Sequence, residues 1–116
     1  MLPKSRRITK QVEWNKLHKF GKRAHSPELV MSHLKTTNNY SRFGFIVGGK
    51  VSKKANIRNL IKRRVRAVIE KNLVNISKGV DVIFVAKAGV KGLNYQEIEK
   101  KVLNLLKKQR LLKNNE

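Results

Sequence analysis

RFGFIVGGKVSKKANIRNLIKRRVRAVI, residues 42–69, changes its hydrophobic period partway along. Over 42–49 the side chains alternate, with Phe43, Phe45 and Val47 on one face and Gly44 and Ile46 on the other, as on a strand. From about Ala55 to Leu73 the spacing becomes helical. Ile57, Ile61, Val65, Val68 and Ile69 share one side, with Leu60 at its edge. A strand running into a helix with one apolar side predicts a sheet for that helix to pack on.

The flanking sequence supplies the rest of the sheet. VDVIFVA (80–86) is an almost continuous apolar run, the pattern of a central strand buried on both faces. LVMSHLK (29–35) alternates, with Leu29, Met31 and His33 on one face and Val30, Ser32 and Leu34 on the other. TTNNYS (36–41) has turn composition, and residues 22–27, containing Pro27, are irregular or a short edge strand. Thr9 can cap a first helix whose apolar positions are Val12, Leu17 and Phe20, with Trp14 beside them and Gly21 as its stop. Asn94 and Glu97 form a capping box for a last helix with core face Ile98, Val102, Leu105, Leu106 and Leu112. The order is α-β-β-β-α-β-α. This is an α+β sandwich, a small, mostly antiparallel sheet packed with three helices. No repeat or linker divides the chain, so residues 1–116 read as one domain, with 1–8 as an extended basic arm.

The apolar side of the central helix packs inward; its other side is the anomaly. Arg58, Lys62 and Arg66 follow at four-residue spacing, with Asn59 and Arg63 alongside, also four apart. Each like-charged pair costs about 0.2–0.5 kcal/mol in an isolated helix. Residues 29–69 contain ten Lys or Arg and no acid to offset this. Ordinary solvated faces mix both signs. The whole chain carries 28 Lys+Arg against 7 Asp+Glu, a formal net charge of +21. The natural counterpart is therefore a polyanion, with phosphates supplying the missing charge. Arg offers a fork matched to phosphate oxygens, Lys a point charge, and Asn59 a neutral amide for a phosphate, a sugar hydroxyl or a base edge. Lys50, Lys53 and Lys54 extend the patch into the loop before the helix, whose free N–H groups also favour anions.

A recognition helix for the DNA major groove usually belongs to a compact helical unit. Here the basic helix lies among strands, which favours RNA over DNA. Trp14, Phe43 and Phe45 are candidates for stacking on unpaired bases, and the core is the competing place for the two phenylalanines.

Several classes are disfavoured. With no Cys there are no disulfides, thiolate nucleophiles or thiolate zinc sites. No apolar run approaches the roughly 18 residues that span a bilayer, and MLPKSRRITK lacks a signal-peptide core. A soluble cytoplasmic protein with no membrane partner is expected. The acids Glu13, Glu28, Glu70, Asp81, Glu97, Glu99 and Glu116 include no pair at metal-site spacing. His18, His25 and His33 fall on a helix, a loop and a strand. Catalytic and metal-ligating residues are therefore not expected in this chain.

RNLIKRRVR (58–66) follows R-N-x-x-K-R-x-x-R, the signature of the bacterial ribonuclease P protein component, with Arg58, Asn59, Lys62, Arg63 and Arg66 in place. RFGFIVGGK (42–50) resembles that family's strand, R-[I/V]-G-[L/F]-x-V-[S/A]-K-K, through Arg42, Gly44, Phe45, Val47 and Lys50, with Gly49 where Lys is usual. RRITKQVEWNKLHKFG (6–21) resembles its opening helix, and Trp14 replaces Phe. Residues 81–108 resemble its closing strand and helix. Four segments in order and at matching spacing cover most of the chain.

The resemblance implies the small subunit of a ribonucleoprotein that removes the 5′ leader of precursor tRNA. The RNA subunit would hold the catalytic centre and its Mg²⁺, and the protein alone would not cut. Lys50, Lys53, Lys54, Arg58, Asn59, Lys62, Arg63 and Arg66 would contact the ribonuclease P RNA. A cleft between the first helix and the sheet, with Arg7, Trp14, His18, Arg42 and Phe45, would take the single-stranded leader. His18 stands where the family's helix usually carries Phe, and Ser32 where an aromatic is common. The resemblance also implies a left-handed β-α-β crossover containing the signature helix. The free protein is expected to be monomeric. Size and composition alone would equally suit a ribosomal or other structural RNA-binding protein.

Overall fold

The computed structural model describes residues 4–8 and 11–113. Helix α1 is Gln11–Phe20, strands β1, β2 and β3 are Lys22–His25, Leu29–Lys35 and Arg42–Ile46, helix α2 is Ala55–Asn72, strand β4 is Val80–Ala86 and helix α3 is Tyr95–Lys108. Single 3-10 turns occupy Lys4–Arg6, Leu73–Asn75 and Ala88–Val90. The order of helices and strands is the expected one.

The four strands form one sheet in the order β1-β2-β4-β3. β1 with β2 and β2 with β4 are antiparallel, while β3 and β4 are parallel. Parallel neighbours need a crossover, and α2 provides it. β4 is central, and six of its seven residues are buried, with Val85 half-buried. Its alternation divides the molecule into three layers. Val82 and Phe84 join Met31, Phe43, the apolar side of α2 and the α3 residues Ile98, Val102, Leu105 and Leu106. Ile83 points the other way, onto Leu17 of α1 and Ile8, with Trp14, Leu34 and Val85 packed around them.

Three local expectations change. Residues 4–8 are not an extended arm throughout: Lys4–Arg6 form a turn, Arg7 bridges Phe43, and the Ile8 amide donates to the Phe43 carbonyl at 2.9 Å. Ile8 is buried, so the apolar gain at that position holds the segment against β3. The cap expected at Thr9 lies outside the described residues. In α1 only Leu17 is fully buried; Val12 is 68% and Phe20 63% exposed. One short helix crossing one part of a sheet can bury only a narrow stripe. Finally, α3 ends before Leu112, which forms an isolated bridge with Ile76, and Leu111 takes the buried position.

Gly21 does end α1, for a steric reason. A Cβ there would lie 2.5 Å from the Leu17 carbonyl oxygen and 2.9 Å from that of His33. The capping box of α3 is complete: the Glu97 amide donates to Asn94 Oδ1 at 2.9 Å and the Asn94 amide to Glu97 Oε1 at 3.0 Å. Asn94→Ala should lower unfolding free energy by about 1 kcal/mol. The check is a lower denaturant midpoint at unchanged slope.

Candidate nucleic-acid interface

Because β3 and β4 are parallel, the loop after β3 must turn back across one face of the sheet, and α2 begins there. Val47, Val51 and Ser52 are buried and anchor this loop, while Gly48, Gly49, Lys50, Lys53 and Lys54 are exposed. The Lys54 amide bonds Ser52 Oγ at 3.2 Å. α2 then starts with no side-chain cap and no acid in its first turn.

Burial of Ile61, Val65, Val68 and Ile69 fixes the rotation of α2. The signature residues consequently sit on the outer side, in graded exposure: Asn59 and Arg63 are exposed, and Arg58, Lys62 and Arg66 are half-buried. The cations are not equivalent. Arg58 Nη1 donates to the Ser52 carbonyl at 3.0 Å and ties the helix to its loop. Arg64, outside the signature, donates to the Leu93 carbonyl at 2.6 Å and ties α2 to the segment before α3. The Arg66 guanidinium lies 5.7 Å from the Phe45 ring centroid, a cation–π distance, and its Nε is buried with no partner among the described residues. Lys50, Lys53, Lys54, Asn59, Lys62 and Arg63 make no side-chain hydrogen bond or ion pair among the described residues. They are the free part of the patch.

The five residues expected in one cleft divide between the two faces of the sheet. Trp14, His18 and Arg42 are on the α1 side. The Trp14 ring lies on Gly44: a Cβ there would come 2.6 Å from its Cη2. Phe45 is on the other side, 6.3 Å centroid to centroid from Phe84 and near-parallel to it, under Arg66. Arg7 bridges Phe43, and side chains of bridged residues share a face, so it too lies on the α2 side. Strand alternation already separates Phe45 from Gly44.

Arg42 faces α1 but is occupied. Its Nε and Nη2 donate to the two carboxylate oxygens of Asp81 at 3.0 and 2.7 Å, and its Nη1 donates to Glu13. The Asp81 hydrogen bonds hold the guanidinium above its ordinary pKa; burial opposes them, and Glu13 adds to them. Its charge is spent on holding α1 to the sheet.

Beyond α1 the sheet offers a shallow shelf that sequence reading missed. Register aligns His25, Val30, Val85 and Ile46 in one row across the four strands. His25 and Ile46 are exposed and the two valines half-buried. Arg23, one row over and opposite Ser32, is also on this side. Its Nη2 lies 3.0 Å from His18 Nδ1 and donates to the His18 carbonyl at 3.1 Å. The even-numbered alternation of β2 was the available signal. The pairing of Arg23 with His18 depends on β1, whose composition reads as irregular or a short edge strand.

No group of three or more His, Asp or Glu among the described residues could hold a metal ion. No helix among them is long and apolar enough to cross a membrane.

A family model described as Ribonuclease P matches residues 2–110. The chain is 31% identical over 115 residues to the ribonuclease P protein component of Syntrophomonas wolfei, across 99% of this chain and 96% of that one. It is 38% identical over 96 residues to the corresponding protein of Synechocystis sp., across 82% of this chain and 77% of that one. Its fold resembles the RNase P protein from Thermotoga maritima with a TM-score of 0.81 at 29% identity, over 88% of this chain and 96% of that one.

Two outcomes follow from the α1 side. Arg42→Ala leaves Asp81 buried without its cation and should destabilise the fold by about 3 kcal/mol; Arg42→Met with Asp81→Leu should recover much of that in thermal melts. Gly44→Ala should push the indole of the chain's single Trp off β3, shifting tryptophan emission to longer wavelength without unfolding the protein.

Proposed function

The chain belongs to the ribonuclease P protein-component family, and from that premise we propose that its α2 patch docks the RNA subunit while the α1 side of its sheet receives the 5′ leader of precursor tRNA. As a member of this family it is the protein part of an endoribonuclease that matures tRNA 5′ ends. The RNA subunit is its partner and does the cutting.

The observation that carries the docking assignment is the unneutralised set Lys50, Lys53, Lys54, Asn59, Lys62 and Arg63 on one loop and one helix side. Held at fixed spacing by the buried side of α2, these groups can meet successive phosphates without ordering a flexible segment first. Preorganisation of this kind lowers the entropy cost of binding. Asn59 adds a donor and acceptor that phosphate-only contacts lack.

For the leader, Trp14 and His18 offer ring faces and the Val30–Val85 shelf an apolar floor, with Arg23 at the margin. An unpaired strand can lay its bases on such surfaces, whereas a duplex cannot. Arg42 and Glu13 serve this site indirectly, by setting where α1 stands. Binding the leader beside the RNA subunit would raise the affinity of leader-bearing substrate over mature tRNA and orient the scissile bond.

The Mg²⁺ of the reaction belongs to the RNA in this scheme. The described carboxylates do not assemble a site for it, and Glu13 and Asp81, the two that come together, are committed to Arg42. A cytoplasmic location, where precursor tRNA is made, completes the reading.

With about six phosphates neutralised, affinity for the RNA subunit should fall roughly 10³-fold between 50 and 200 mM salt. Lys53→Ala with Arg63→Ala should weaken assembly about tenfold and flatten that dependence, at an unchanged melting temperature. Reconstitution with a bacterial catalytic RNA at low Mg²⁺ reads the activity: leader removal restored by the native chain, and less by this variant. A salt-independent affinity would reject the phosphate assignment.

A further inference from the structure

At the end of the sheet away from the α2 loop, a hollow of about 560 Å³ opens between the end of α1, β2 and the segment after α3. Lys50–Lys54 follow the C-terminal end of β3. The hollow is at the start of β4, lined by Lys78 and Val80, and β3 and β4 run parallel. The loop lysines and the hollow therefore lie at opposite ends of the sheet.

The lining includes Phe20, Lys22, Lys35, Lys78 and Arg110, and no Asp or Glu. None of these four cations makes an ion pair among the described residues. The neighbouring hollow differs: there Lys16, Lys35 and Arg42 face Glu13 and Asp81. Phe20, 63% exposed, supplies an aromatic face at the rim where a residue ending a helix could have been polar.

Arg110 is the most telling residue. α3 ends in a Schellman motif, with the Leu111 amide bonded to the Leu106 carbonyl at 2.9 Å and the Arg110 amide to that of Lys107 at 3.0 Å. Arg110 occupies the position that favours glycine, with φ 58. A side chain there strains the backbone. The strained position nonetheless carries a long cation, and that cation lines the hollow.

We infer that this hollow is a second RNA-binding site, which takes an unpaired nucleotide with its base on Phe20 and its phosphates on Lys22, Lys35, Lys78 and Arg110. Three cations with no facing carboxylate, and Lys35 shared with the neighbouring hollow, fit a phosphodiester strand, and an aromatic rim fits a base free of its complement. The inference rests on the chain being an RNA-binding subunit, and it adds a surface separate from both the α2 patch and the α1 shelf. An RNA strand held here would reach the molecule from the end of the sheet opposite the loop lysines.

The test uses the full chain, a fluorescent uridine decamer and a transcript of a ribonuclease P RNA. Lys22→Gln with Lys78→Gln should weaken decamer binding about tenfold and reduce its salt slope by about 1.4, two contacts at roughly 0.7 each. Phe20→Ala should weaken it about tenfold, and Phe20→Trp should restore it. Arg110→Gly should raise the melting temperature yet lower decamer affinity, which a purely structural Arg110 would not do. Assembly with the transcript should be unchanged in all of these. Decamer affinity indifferent to every one of them overturns the inference while leaving the proposed function in place. A polyglutamate decapeptide losing affinity in these variants while the decamer does not would assign the hollow to an acidic protein and overturn it as well. A native chain that binds neither RNA takes the proposed function down too.

Discussion

Twenty-eight cationic side chains share this molecule with seven carboxylates, and the structure depends on where those few carboxylates go. Glu13 and Asp81 clamp Arg42 between α1 and the sheet. Glu28 pairs Lys101 at 3.8 Å, joining the start of β2 to α3. Glu99 pairs Lys71 at 3.3 Å and accepts from Asn72, joining α3 to the end of α2. Glu97 closes the cap of α3. Apart from Glu97, these acids connect elements far apart in sequence, and none of the group faces the first turns of α2. The positive excess is thus concentrated at the outer side of α2 and the ends of the sheet. Self-repulsion there is a stability cost that a bound polyanion removes.

What could be read in advance was whatever local periodicity determines. The change of period between β3 and α2, the doubly buried β4 and the capping box of α3 each depend on residues within one or two turns of one another. Residues whose position depends on a distant partner were not legible. Val12 and Phe20 have the right spacing for a core face, but α1 meets the sheet along a narrow stripe. Arg7 and Ile8 join β3 only because Phe43, 36 positions from Arg7, presents an open edge. Arg42 matched the family strand and was expected to face RNA. Only the fold reveals that Asp81, directly across the β3–β4 register, claims it first.

The signature helix shows the same division within a single motif. Arg58 and Arg66 satisfy R-N-x-x-K-R-x-x-R as well as Arg63 does, yet Arg58 bonds a loop carbonyl and Arg66 covers Phe45. Their removal would disturb loop or core together with any RNA contact. Arg63, Asn59 and the loop lysines can be changed with less structural consequence. A motif read as one electrostatic unit therefore contains residues tied to the fold and residues left free, and the structure separates them by what each guanidinium touches.

The topology also constrains how RNA can approach. In a parallel β-α-β unit the crossover helix must lie on one face, and α1 then has only the other face available. The α2 patch and the α1 shelf are for that reason on opposite sides of the sheet, separated by at least one packed layer of about 10 Å. One strand of RNA cannot lie flat on both. Under the proposed function the protein would therefore be wedged between two separate RNA segments, one folded and read through phosphates at fixed spacing, the other unpaired and read through its bases. Phe45 sharpens the division: it supports Arg66 from below and so serves the α2 side, and under the proposed function base contacts on the α1 side would fall to Trp14 and His18.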